Sequence, residues 1–171
     1  MKRIGLILVL VLLGASQATS QVPDDKLIVE GQRIGKWTLA MTIANLVQMN
    51  GPFDASRPAE GGDLARPVVL HRWERLGLNA VTSAGDTQRI EVLVAFSDEH
   101  KTSKGIAVKA RRENVETAYG TPTAVTQWGP SPFSIRLTYD QMGLGVNLIE
   151  GGVVDAVGIF RPGTGKQLWK F

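Results

Sequence analysis

The 171-residue chain contains no cysteine. That excludes a disulfide framework, a thiol nucleophile and a thioether lipid anchor. The segment Leu12-Leu13-Gly14-Ala15-Ser16 is laid out like a lipoprotein cleavage box, but Ser16 stands where the lipidated cysteine would be. Histidine is nearly absent too, at two residues, which leaves few candidates for a general base or a metal ligand. The only long apolar run, residues 4–13, is broken by Gly5. Ten residues fall well short of the about 20 that a membrane-spanning helix needs. Lys2 and Arg3 precede the run, and the small residues of 14–20 follow it. This is the layout of a secretory signal peptide over residues 1–20, cleaved after Ala18 or Ser20. The expected location is therefore periplasmic or secreted.

Charge of one sign is also lacking. The chain carries 19 Lys and Arg against 16 Asp and Glu. Removing residues 1–20 takes away two basic residues and no acids, leaving 17 against 16, a net charge of +1. No nucleic-acid partner is implied. About 150 residues can bury roughly two thirds of their unfolded surface, so the chain can hold a core without cysteine staples.

What the sequence has is an internal repeat. Aligning Gly51 with Gly120 sets Leu46 on Val115; aligning Gly77 with Gly143 sets Val69, His71 and Trp73 on Ile135, Leu137 and Tyr139. Helical spacing of Ile43, Leu46 and Val47 predicts a helix over 41–50, with Thr42 as a cap, and its counterpart over 111–119. Each stops at glycine with proline soon after, at Gly51-Pro52 and Gly120-Thr121-Pro122. Alternation at 69, 71 and 73 predicts a strand. A second strand opens at Leu78 and at Leu144, and turns follow at 83–86 and 150–152. The third strand is expected to carry Ile90, Val92, Val94 and Phe96 on one face, matched by Val154, Val157 and Ile159. Short strands are possible at 26–30 and 123–127. The predicted fold is α+β: two tandem repeats, each a helix plus a three- or four-stranded antiparallel sheet, at 21–97 and 98–171.

On Gly51-Pro52, Gly120-Thr121-Pro122, Trp73 and Tyr139, the chain resembles two groups. One is the small outer-membrane lipoprotein fold of the SmpA/OmlA type, which helps assemble outer-membrane barrels. The other is the tandem-repeat fold of the secreted β-lactamase-inhibitor family, which two copies in one secreted chain match better. The resemblance implies an envelope or secreted protein as partner. It carries over no enzyme-contacting residue, and fold alone does not transfer inhibition.

Catalytic signatures are weak. His71 aligns with Leu137 and reads as a packed strand residue; His100, in Asp98-Glu99-His100-Lys101, reads as part of a solvated linker rather than a metal site. No Gly-x-Ser-x-Gly elbow is present. Glu74 and Asp140 occupy equivalent places before a bend and read as strand-end structure. Gly163-Thr164-Gly165-Lys166 lacks the remaining residues of a phosphate loop and reads as a C-terminal turn. No catalytic residue, cofactor or metal is expected. Function is sought where the copies differ: the loops 52–67 and 123–133 and the basic start of the second helix. Partner-binding candidates are Trp128, Phe133, Phe53, Arg111 and Arg112. Trp128 either stands exposed as an anchor or folds back over the sheet. The expected role is a non-catalytic binding module for an envelope protein or envelope component. Two alternatives stay open: an inhibitor of a secreted hydrolase, and a small periplasmic hydrolase built on carboxylates or His71.

Overall fold

The computed structural model describes residues 24–60, 64–128 and 131–170; the expected signal peptide lies outside them. The fold is α+β and mostly antiparallel. Two short helices lie where the sequence places them, α1 at Ile43–Asn50 and α2 at Arg112–Tyr119. Each is closed at its start by an asparagine three residues in. The Asn45 side-chain oxygen accepts from the Thr42 backbone N–H at 2.9 Å, and that of Asn114 from Arg111 at 3.2 Å. Otherwise orphaned backbone donors are thereby satisfied.

Eight strands form one sheet. In chain order they are β4 (Ala55–Ala59), β5 (Val68–Trp73), β6 (Leu78–Ser83), β7 (Asp86–Ala95), β9 (Ala124–Gln127), β10 (Ile135–Tyr139), β11 (Leu144–Ile149) and β12 (Val153–Phe160). Their spatial order is β4-β5-β6-β7-β12-β11-β10-β9. The two halves of the chain thus join edge to edge through β7 and β12, where the sequence reading had a separate sheet in each half. The smaller sheet is β1 (Leu27–Val29), β2 (Arg33–Ile34), β3 (Trp37–Thr38) and β8 (Lys101–Thr102), in the order β3-β2-β1-β8. It pairs the start of the first half with the link between halves, a contact no local pattern announces.

The main core lies on one face of the large sheet. Ile28, Ile34, Trp37, Leu46 and Val115, from the small sheet and the helices, pack with Trp73, Leu93, Leu137, Tyr139, Val146 and Val157. Two aromatic side chains tie the helix ends to this face. The Trp73 indole N–H donates to the Gly51 carbonyl at 3.0 Å, and the Tyr139 hydroxyl donates to the Gly120 carbonyl at 3.2 Å.

Three expectations are corrected. The strand β4 runs through a segment read as loop, where five residues including Pro58 show no apolar alternation. The face expected to hold Ile90, Val92, Val94 and Phe96 together is split by a bulge. Val81 pairs with Val92 but Thr82 pairs with Ile90, leaving Glu91 unopposed. A bulge re-aims one side of the strand, so Ile90, Leu93 and Ala95 face the helices while Val92, Val94 and Phe96 face away. Finally, His100 is not solvated: it is 3% exposed and packs 5.5 Å from the Trp37 ring.

Candidate functional site: the sheet face away from the helices

Alternation along the strands sends every second side chain to the face opposite the helices. One register row crosses the whole sheet: Ala55, Arg72, Asn79, Val94, Gly158, Gly145, Thr138, Ala124. Its first half carries long polar side chains, its second half almost none. Across the middle of this face lies the C-terminal tail, where Leu168 and Trp169 pack with Val92 and Phe160 and against Leu64, Val81 and Val94. After the turn at 162–163, the four-residue helix α3 (Gly165–Leu168) sets Trp169 edge-on to Phe160 at 4.8 Å between ring centres. The Arg136 guanidinium covers the indole at 4.6 Å. The tail is pinned by the Ala65 N–H donating to the Leu168 carbonyl and by the Gly165 N–H donating to Asp140 Oδ1 at 2.7 Å.

Beside the tail, a cavity of about 460 Å³ opens on this face. Its floor is Val68, Leu70, Val81, Val92 and Val94; Leu64, Leu168 and Trp169 stand on its walls with Phe96 and Trp128; its polar groups are Arg57, Arg72, Asn79, Arg136, Asn147 and Asp155. Such a size, with an apolar lining and a few placed polar groups, is typical of ligand sites. Among the described residues of its lining, guanidinium groups outnumber carboxylates three to one. Arg72 Cζ stands over the Phe96 ring, 4.4 Å from its centre, a cation–π contact that holds it in place.

The five partner-binding candidates do not converge on one place. Trp128 lines the cavity, with its indole N–H donating to the Leu148 carbonyl at 3.2 Å; it is folded back on the sheet rather than standing free. Phe133 is 59% exposed. Phe53 packs between His71 (5.2 Å) and Trp73 (5.9 Å) on the other face. Arg111 donates to the Gly151 carbonyl, and Arg112 pairs with Glu116 at 2.8 Å. Lys109 pairs with Asp98, whose carboxyl is thereby held below its usual range. Much of the basic stretch before the second helix is internally matched.

The groups considered for catalysis lie apart. Glu74 follows β5 and Asp140 follows β10, five strand spacings away, or roughly 24 Å at about 4.8 Å per strand. Glu74 is exposed beside Arg72 at 3.3 Å; Asp140 is buried and holds the tail. His71 sits on the helix face, its Nδ1 3.1 Å from Ser56 Oγ and its Nε2 3.3 Å from Thr82 Oγ1. Burial lowers its pKa, and a neutral ring can satisfy both hydroxyls. A Ser–His pair is one part of a nucleophilic dyad, but here Phe53 covers the ring and a hydroxyl stands where an orienting carboxylate would. Among the described residues no three His, Cys, Asp or Glu side chains gather as a metal set. Sequence reading missed Arg57, Arg72, Asn79 and Trp169 as one surface, because their common face depends on pairing strands distant in sequence.

No family model matches the sequence, and no curated protein matches it. Among solved structures the chain is similar to YjgB, a DUF4309 family protein from Bacillus subtilis, with 15% identity, 77% of this chain and 88% of that chain covered, and a TM-score of 0.48. It is also similar to an extracellular protein containing an SCP domain from Bacillus anthracis, with 8% identity, 82% and 52% covered, and a TM-score of 0.45. Among the described residues no helix is long and apolar enough to cross a membrane.

Proposed function

We propose that the chain is a periplasmic or secreted, non-catalytic binding module that takes an envelope or secreted protein onto the sheet face away from the helices. The observation that carries this reading is the 460 Å³ cavity with Trp128, Trp169 and three arginines around an apolar floor. Buried aromatic and arginine side chains are the usual anchors of protein interfaces. The separation of Glu74, Asp140 and His71 favours binding over hydrolysis.

The same proposal holds that the module is two tandem units, 21–97 and 98–171, as in the tandem-repeat inhibitor fold it resembles. Several pairs support it. The strand order is a mirror about the β7–β12 seam. Glu91 and Asp155 occupy matching bulges, the second where Asn147 pairs with Ala156 and Leu148 with Val154. Bridges Thr42–Arg89 and Arg111–Val153 pin each helix start to the last strand of its own half, β7 or β12.

The test is capture from an envelope extract by the mature protein and by its Trp128→Ala variant. A specific partner, lost or weakened at least tenfold by the substitution, is expected. Capture unchanged by Trp128→Ala would remove the support for this face.

A further inference from the structure

Resting on that reading, we infer that the cavity beside the tail takes an extended acidic segment of the partner protein, running beside Arg72 and Asn79 with carboxylates on Arg72 and Arg57. The two halves of the face differ in a way that points there. Where the second half has Thr138 opposite Gly145, the first has Arg72 opposite Asn79. Both of these polar side chains are incompletely satisfied, as is Thr138 Oγ1; what differs between the halves is the charge of Arg72. Arg72 Nε is buried without a hydrogen bond, lying 3.3 Å from Glu74 in a geometry that forms none, and Asn79 Oδ1 is buried without a donor. Buried polar atoms without partners cost free energy and are rare in folded proteins.

Arg72 Nε and Asn79 Oδ1 are themselves sealed from solvent, but the Arg72 side chain is 40% exposed, so an occupant of the cavity meets its remaining guanidinium donors and must bring acceptors. An acidic peptide segment brings several carboxylates for Arg72 and Arg57 together; a fatty carboxylate brings one. Arg57, diagonal to Arg72 across β4 and β5, makes no ion pair among the described residues and adds a second positive charge. Arg72 is already held over Phe96, so little side-chain freedom is lost on binding. The apolar floor at Leu70 and Val81 fits alternate apolar side chains of such a strand.

The experiment is selection from a random heptapeptide display library on the full mature protein at low ionic strength. The selected peptides are then resynthesised for titration, followed by Trp fluorescence. The expected pool is rich in Asp and Glu at alternate positions. Replacing those by Asn and Gln should weaken binding at least tenfold, and Arg57→Gln with Arg72→Gln should abolish the difference. A neutral or basic pool, no pool at all, binding indifferent to the two arginines, or preferential binding of decanoate would each overturn the inference. Running the same double variant in the envelope capture separates the two claims. Capture that needs Trp128 but not Arg57 and Arg72 leaves the binding face standing and removes the acidic segment.

Discussion

Val94 of β7 stands directly opposite Gly158 of β12, at the middle of the eight-stranded sheet. Leu93 pairs with Ile159 and Ala95 with Val157 on either side. On the proposed two-unit reading, the offset that superposes the two bulges makes Val94 and Gly158 equivalent, so that one position would meet its own counterpart across the seam. A Cβ on Gly158 would lie 3.4 Å from Val94 Cγ2. Gly158→Ala should therefore be tolerated within about 1 kcal/mol. Gly158→Val, which copies the partner residue, overpacks the seam and should cost about 1–3 kcal/mol, read from urea unfolding midpoints.

The aromatic tethers to the helix ends can be tested as a pair. Trp73→Phe and Tyr139→Phe each keep a ring and remove the donor to Gly51 or Gly120. Each should cost about 0.5–1.5 kcal/mol, plus whatever cavity the smaller ring leaves at Trp73. The double variant should be close to additive, because the two sites lie in different halves. A strongly non-additive result would mean that the halves do not behave as separate helix–sheet units.

Gly143 contrasts with Gly51. Both have positive φ, 66° and 82°, but a Cβ on Gly143 would sit 2.1 Å from the Phe160 carbonyl oxygen, and one on Gly51 meets nothing within 4 Å. Gly51→Ala should cost only backbone strain, about 1 kcal/mol. Gly143→Ala adds a clash with main chain and should lose more than about 3 kcal/mol. Equal losses in thermal unfolding would contradict this packing.

Acid should destabilise the protein through both histidines. Burial lowers the pKa of His71, and burial with the nearby Lys26 lowers that of His100, from an ordinary 6.5. The unfolded chain therefore takes up these protons first. The stability they contribute is fully present above about pH 6.5 and is lost as pH falls toward and through the folded values. The expected record is a flat Tm between pH 7 and 8 and a decline beginning below about 6.5. On the proposed two-unit reading, the positions matching Ser56, His71 and Thr82 are Val125, Leu137 and Leu148. Substituting Ser56→Val, His71→Leu and Thr82→Leu together should reduce that decline.

The C-terminal tail should prove part of the fold. Trp169 is 6% exposed against Phe160 and Arg136, so Trp169→Ala should cost about 3–5 kcal/mol. A loss under about 1 kcal/mol would mean that the tail is a loose occupant of the groove.

The helices and hairpins were legible because their signals are local. Ile43 and Leu46 repeat at helical spacing, Gly51 and Gly120 stop the helices, and 69, 71 and 73 alternate. Strand β4 was not legible, because an edge strand with Arg57 and Pro58 needs no apolar alternation. Nor was the bulge at Glu91, since one extra residue shifts every later side chain to the other face without changing composition. His100 was misplaced because its burial comes from Trp37, far away in sequence.

The sequence by itself determined the two similar series of elements and where each helix and turn ends, since backbone conformation at Gly77, Gly143 or Thr42 is a matter of neighbouring residues. Only the tertiary structure decided that β7 pairs with β12, that the tail packs across the middle of the sheet, and that Arg57, Arg72 and Asn79 border the cavity beside it. Such long-range pairing is selected by the total burial of the whole chain, a quantity that no short stretch of residues carries.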